Sequence, residues 1–145
     1  MTLTTDQIRK ILPQSYPFLM IDKVIEYKEN ESLTAIKNVT ADEWCFAGDL
    51  SETNIFPEVL ILEAAAQTAI VLYHLKKSKD NPSNPLFFLG RIRAEFFHTV
   101  TIGDQLRIKS FSGKIMSNSG YANTDITMDA QKIAQVELMY GLRNK

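Results

Sequence analysis

The feature that most constrains this chain is an apolar helical run with one acid inside it: Pro57-Glu58-Val59-Leu60-Ile61-Leu62-Glu63-Ala64-Ala65-Ala66-Gln67-Thr68-Ala69-Ile70-Val71-Leu72. A helix that is hydrophobic nearly all round belongs in a core. Glu63 falls in its middle, and a buried carboxylate without a partner is costly enough that it tends to take up a proton. Packing gives no reason for an acid there. A protonated carboxylic acid facing an apolar slot is, however, what an enzyme needs to give a proton to a leaving group.

The 145 residues suit one domain spanning 1–145, large enough to hold a real core around that helix. A net charge of -1 supplies no basic surplus for phosphates, so no nucleic-acid partner is expected. Cys45 is the only cysteine, which excludes an internal disulfide and a multi-cysteine metal cluster. It is expected as a buried or half-buried thiol rather than a nucleophile. Met1 to Lys10 is polar and lacks the apolar stretch of a secretory signal. The run from Val59 to Leu75 is slightly short for a membrane span and is interrupted by Glu63, Gln67 and His74. An acid at a bilayer centre costs roughly 2.5–3.5 kcal/mol on insertion scales. The expectation is a core helix in a cytoplasmic protein, with no membrane partner and no cofactor.

Around the helix, the spacing predicts a short helix over Thr5–Leu12, with Thr4 and Gln7 as a capping box and Pro13 as the stop. Phe18–Tyr27 is rich in β-formers, and Leu33–Val39 beyond the polar cluster Lys28–Glu31 reads as its hairpin partner. Pro57 suits the first position of the long helix, where its missing N–H costs nothing, and Lys76, Lys77 and Lys79 suit the other end. Four strand-like runs follow: Leu86–Phe97, Gln105–Met116, Tyr121–Met128 and Lys132–Leu142. Their turns carry Gly103-Asp104, Asn118-Ser119-Gly120 and Asp129-Ala130-Gln131. The order is α-β-β-α-β-β-β-β, an α+β pattern. A lone helix apolar on every side must be covered on every side. One antiparallel sheet wrapped around it, with a second copy closing the exposed strand edge, is the economical solution. That is a hotdog fold, and it predicts a dimer.

Several segments carry a resemblance. Leu12-Pro13-Gln14-Ser15-Tyr16-Pro17-Phe18-Leu19-Met20-Ile21-Asp22-Lys23-Val24 resembles the LPHRYPFLLVDRV opening of the bacterial (3R)-hydroxyacyl-[acyl-carrier-protein] dehydratases of FabZ type. Ala35–Thr40 resembles that family's next strand, Ile55–Gln67 its IFPGVLILEAMAQ helix, and Gly103-Asp104-Gln105 a later turn. The likeness runs from about Ile8 to Arg143 with almost no gaps. It implies a dimeric hotdog protein acting on acyl chains carried on the phosphopantetheine of acyl carrier protein, in fatty-acid or polyketide-like synthesis.

The resemblance also implies a division of labour. A histidine in the loop FQGHFPG removes the C2 proton, a helical glutamate protonates the departing C3 hydroxyl, and backbone N–H groups at the helix start polarise the thioester carbonyl. Glu63 matches the glutamate, and Glu58 and Val59 fall where the backbone donors should be. The histidine does not match. This chain reads Phe46-Ala47-Gly48-Asp49-Leu50-Ser51-Glu52 there, so Asp49 stands in its place, and Gln14 replaces the histidine of the opening motif. His74 follows Glu63 by eleven residues, about 16 Å along a helix, too far to substitute. His98 fits a surface or pocket-rim role.

The candidate catalytic residues are therefore Glu63 and Asp49, with Gly48, Glu58, Val59, Gln67 and Phe96 as candidate substrate-binding residues. Gln67 lies one turn beyond Glu63, where a hydrogen bond between them is possible in either a functional or a purely structural role. Phe87, Phe88, Phe96 and Phe97 are candidates for an acyl channel or for ordinary core. Arg91, Arg93 and the lysines after the helix are candidates for an acidic carrier protein, or are simply solvated. Three functions fit. In the first, Asp49 is the base and Glu63 the acid of a dehydratase; two carboxylates held close in an apolar site cannot both ionise easily. In the second, this chain is one subunit of a heterodimer whose FabZ-like paralogue supplies the histidine, rather than a homodimer. In the third, a carboxylate serves a hotdog acyl-thioesterase.

Overall fold

The structure is a computed structural model that describes residues 1–47, 53–77 and 85–144. It opens with helix α1 (Thr5–Ile11) and strands β1 (Lys23–Lys28) and β2 (Ser32–Asn38), followed by a short 3-10 turn (Trp44–Phe46) and the long helix α2 (Glu58–Lys77). Strands β3 (Leu86–Phe96), β4 (Gln105–Ile115), β5 (Ser119–Met128) and β6 (Gln131–Arg143) complete it. The strands form one six-stranded sheet in the order β1-β2-β4-β5-β6-β3, antiparallel at every pairing. The sheet wraps α2, which is the hotdog arrangement expected from the element order.

Period-two patterning makes this sheet. Along β4, β5 and β6 the buried positions alternate, placing Leu106, Ile108, Ala122, Ile126, Val136 and Leu138 against the helix. The facing surface of α2 is small: Ala64, Ala65 and Ala69 are buried and let the strands approach closely. By length and composition α2 matches a membrane span. Its place beneath the strands makes it a core helix instead.

Not every side of α2 is covered. Val59, Leu62, Glu63, Ala66 and Tyr73 form a stripe at helical spacing that is only partly shielded, and Val59 is 68% exposed. The same side of the molecule carries the eleven-residue strand β3, whose edge away from β6 meets no strand among the described residues. The opposite edge is partly closed, because Leu3 pairs with Val24 through hydrogen bonds of 2.9 and 3.0 Å.

The opening segment departs from expectation. Thr4 and Gln7 do form a capping box, but Phe18–Asp22 is not strand, and β1 begins only at Lys23. The reason is a competing partner. The Met20 N–H donates to Gln67 Oε1 at 2.8 Å, and Gln67 Nε2 donates to the Phe18 carbonyl at 2.6 Å. A side-chain amide thus takes the place of a neighbouring strand. Trp44 adds a second clasp, donating from Nε1 to the Pro17 carbonyl at 3.0 Å while its ring meets Phe18 edge-on. The long helix starts at Glu58, one residue later than expected, with the Pro57 carbonyl accepting from Leu60 and Ile61. β5 starts at Ser119 and Gly120, residues expected in the turn.

Candidate active site

Glu63 is half-buried on the uncovered stripe of α2 and lines a cavity of about 160 Å3. The helix contributes Ala66, Ala69 and Ile70 to its wall, β3 contributes Phe87, Phe88 and Leu89, and β6 contributes Leu138 and Tyr140. Gln14 closes it from the opening segment. Apart from Glu63, Gln14 and the Tyr140 hydroxyl, these side chains are apolar. The acid in the middle of the apolar run therefore faces a greasy slot.

The acid is held in place. Gln67, fully buried at 0% exposure, donates from Nε2 to Glu63 Oε1 at 2.8 Å, the bond that the spacing allowed. The same carboxamide is tied to Met20 and Phe18. Glu63 is thus oriented by a side chain that itself cannot rotate without breaking three hydrogen bonds.

One turn earlier, Glu58 and Val59 open the helix. No acceptor meets their backbone N–H groups among the described residues, as expected for the first turn of a helix. The exposed helix end offers these donors to a partial negative charge on the Val59–Glu63 side. Gly48 and Asp49 lie outside the described residues.

The aromatic residues divide. Tyr73, Phe87 and Tyr140 form a cluster with ring centroids 5.3–6.0 Å apart at the end of the cavity. Burial pushes the Tyr140 hydroxyl well above its ordinary value of 10.0, with Tyr73 adding to the rise, and burial raises Tyr73 as well. Phe96, expected in the substrate site, does not line this cavity. It sits at the far end of β3 opposite Ala134, whereas Phe87 pairs with Leu142. Leu89 and Tyr140 were not anticipated there; they meet because they are paired across β3 and β6.

Other candidates are placed elsewhere. Arg91 and Arg93 line a separate depression with Tyr121, Asn123 and Glu137, whose exposed positions put it on the outer surface of the sheet. Lys76 donates to Ser112 Oγ at 2.9 Å. His74 lies in the last turn of α2 and His98 is exposed beyond β3. Cys45 is half-buried. Among the described residues, no cluster of metal-ligating side chains occurs.

Comparison with known proteins bears on the family and the fold. Residues 12–137 match the family described as FabA-like domain. The 3-hydroxyacyl-[acyl-carrier-protein] dehydratase FabZ of Anoxybacillus flavithermus is 36% identical over 147 residues, covering 99% of both chains. The protein of the same name from Chlamydia pneumoniae is 39% identical over 140 residues, covering 96% of this chain and 92% of that one. Among solved structures, the dehydratase heterocomplex ApeI:P from Xenorhabdus doucetiae superimposes with a TM-score of 0.79 at 20% identity, over 95% of this chain and 91% of that one. The chain belongs to the FabA-like family, among its FabZ-type hotdog members.

Proposed function

We propose that this protein is a FabZ-like dehydratase for 3-hydroxyacyl chains carried on the phosphopantetheine of acyl carrier protein, with Glu63 as general acid. The observation that carries the reading is Glu63 itself: an acid facing an apolar cavity, fixed by Gln67, one turn beyond the N–H groups that open the helix. Relatives spanning the full length are named for this activity.

The chemistry is elimination of water. A base removes the C2 proton, and the developing negative charge on the thioester oxygen is met by the N–H groups of Glu58 and Val59. The C3–O bond breaks as Glu63 gives its proton to the departing hydroxyl, leaving water and a C2–C3 double bond. Phe87, Phe88 and Leu89 receive the acyl chain, and a second chain seated on the free edge of β3 completes the wall. No cofactor is needed for these steps. The base is Asp49 of the loop or, in a heterodimer, a histidine of a paralogous subunit. The second arrangement is favoured by the likeness to a dehydratase heterocomplex. Cytoplasmic residence follows from this role.

The purified protein, given a 3-hydroxyacyl-pantetheine, tests the reading by enoyl absorbance. Activity in isolation that is lost in Asp49→Asn supports Asp49 as base; activity only on mixing with a histidine-bearing paralogue supports the heterodimer. Free thiol released without an enoyl product would instead identify a thioesterase.

A further inference from the structure

The side chains that α2 presents to the cavity grow with distance from Glu63. Ala66 and Ala69 line it beside the acid, and Ile70 lines it farther along the helix. Tyr73 continues the same face one turn on, and it does not line the cavity. Its ring meets Phe87 edge-on at 5.3 Å and Tyr140 edge-on at 5.9 Å. Phe87 and Tyr140 both line the cavity, so Tyr73 stands directly behind two of its wall residues. The Tyr140 ring is also seated on the backbone of β5. It lies opposite Gly120, where an added Cβ would overlap it. A narrow-sided slot thus ends against three packed rings.

We propose that Tyr73 is a specificity-determining residue: backing Phe87 and Tyr140, it ends the acyl pocket after a short chain of about four to eight carbons. The inference rests on the dehydratase reading above and names the class of chain that the site takes. In that reading the thioester carbonyl lies at the N–H groups of Glu58 and Val59, and C3 lies at Glu63. The remaining carbons then run on towards Ile70 and the rings. From Glu63 to Ile70 the helix rises only about 10 Å. The cavity measures about 160 Å3. At the roughly 30 Å3 that a water molecule takes in the liquid, it holds about five groups of methylene size.

Past that limit a longer chain has two courses. It can push aside rings that are packed on one another and on β5, which overpacking makes costly. Otherwise its tail stays in water and gains nothing from the pocket. Removing Tyr73 changes this, because Phe87 and Tyr140 then have space behind them into which they can move.

The test uses saturated acyl-pantetheines with butanoyl, hexanoyl, octanoyl and dodecanoyl chains. An amide replaces the thioester so that nothing is turned over. Displacement calorimetry against the hexanoyl analogue, on the full chain, confines the measurement to one pocket. Affinity should rise from butanoyl to hexanoyl by about fourfold for each methylene buried. Dodecanoyl should bind about tenfold more weakly than hexanoyl. In Tyr73→Ala, which keeps a good helix former in α2, dodecanoyl should gain about tenfold or more over hexanoyl. Tyr73→Leu, which shortens the support without emptying it, should give a smaller gain in the same direction. A parent that binds dodecanoyl as tightly as hexanoyl overturns the proposal by itself and needs no variant. So does a length preference unchanged in both variants, or an equal loss at every chain length, which marks Tyr73 as structural only. Failure of every analogue to bind the unaltered protein overturns the dehydratase reading and this inference with it.

Discussion

Gln67 donates a 2.8 Å hydrogen bond from Nε2 to Glu63 Oε1, one helical turn away, while its other contacts fix the opening segment. One buried amide therefore joins the candidate acid to the loop that closes its pocket. Replacing it with an apolar residue of similar size leaves the Met20 N–H and the Phe18 carbonyl without partners. Each such orphan costs about 1–3 kcal/mol. Gln67→Leu should lower unfolding stability in urea by at least that amount, and a loss under about 0.5 kcal/mol, the scale of an ordinary surface change, would contradict the assigned role.

Gly141 lies opposite Phe88 across the β3–β6 pair, and a Cβ on it would overlap the Phe88 ring. Gly141→Ala must move a wall of the Glu63 cavity. Overpacking of this kind costs about 1–3 kcal/mol. Binding of a hexanoyl thioester should weaken together with thermal stability. An alanine variant with unchanged melting and unchanged acyl affinity would show that Phe88 is not fixed there.

Burial holds the Tyr140 hydroxyl above its ordinary value of 10.0, which makes stability depend on alkaline pH. Below about pH 10 the hydroxyl is protonated in both folded and unfolded chains and has no effect on the difference. Above that value the unfolded chain releases the proton while the folded chain keeps it, so stability falls as pH rises towards the folded value. Tyr140→Phe keeps the ring and removes the ionisation. Its urea midpoint should decline less steeply than the parent's from pH 9 to 11. Parallel declines would contradict the burial of this hydroxyl.

The edge of β3 away from β6 meets no strand among the described residues, and its Leu89, at the rim of the Glu63 cavity, is 56% exposed. Edges of this length are normally capped or blunted. In sedimentation the protein should travel as two or more chains, and Leu89→Arg should shift it to one. A parent that sediments as a single chain at micromolar concentration would remove the partner wall from the proposed site.

Much of this arrangement was readable along the chain because it follows local periods. The alternation in β4 to β6 set those strands, and an acid inside an apolar helix singled out Glu63. The features that local periods do not reveal depend on contacts distant in sequence. Phe18–Asp22 has the composition of a strand, but its backbone partner is Gln67, which no local period reveals. Leu89 and Tyr140 enter the pocket through the register of β3 on β6, and that register also leaves Phe96 at the far end of the strand. Gln14 was visible only as a departure from the family's opening motif.

The central claim is that Glu63 gives up the proton that water carries away. The most direct measurement is enoyl formation from a 3-hydroxyacyl-pantetheine by a purified one-to-one complex of this chain with a histidine-bearing paralogue, with and without Glu63→Gln in this chain alone. The account predicts a loss of about 10²–10⁴ in rate with folding intact. A change of less than tenfold, or thiol release with no enoyl product, would contradict it.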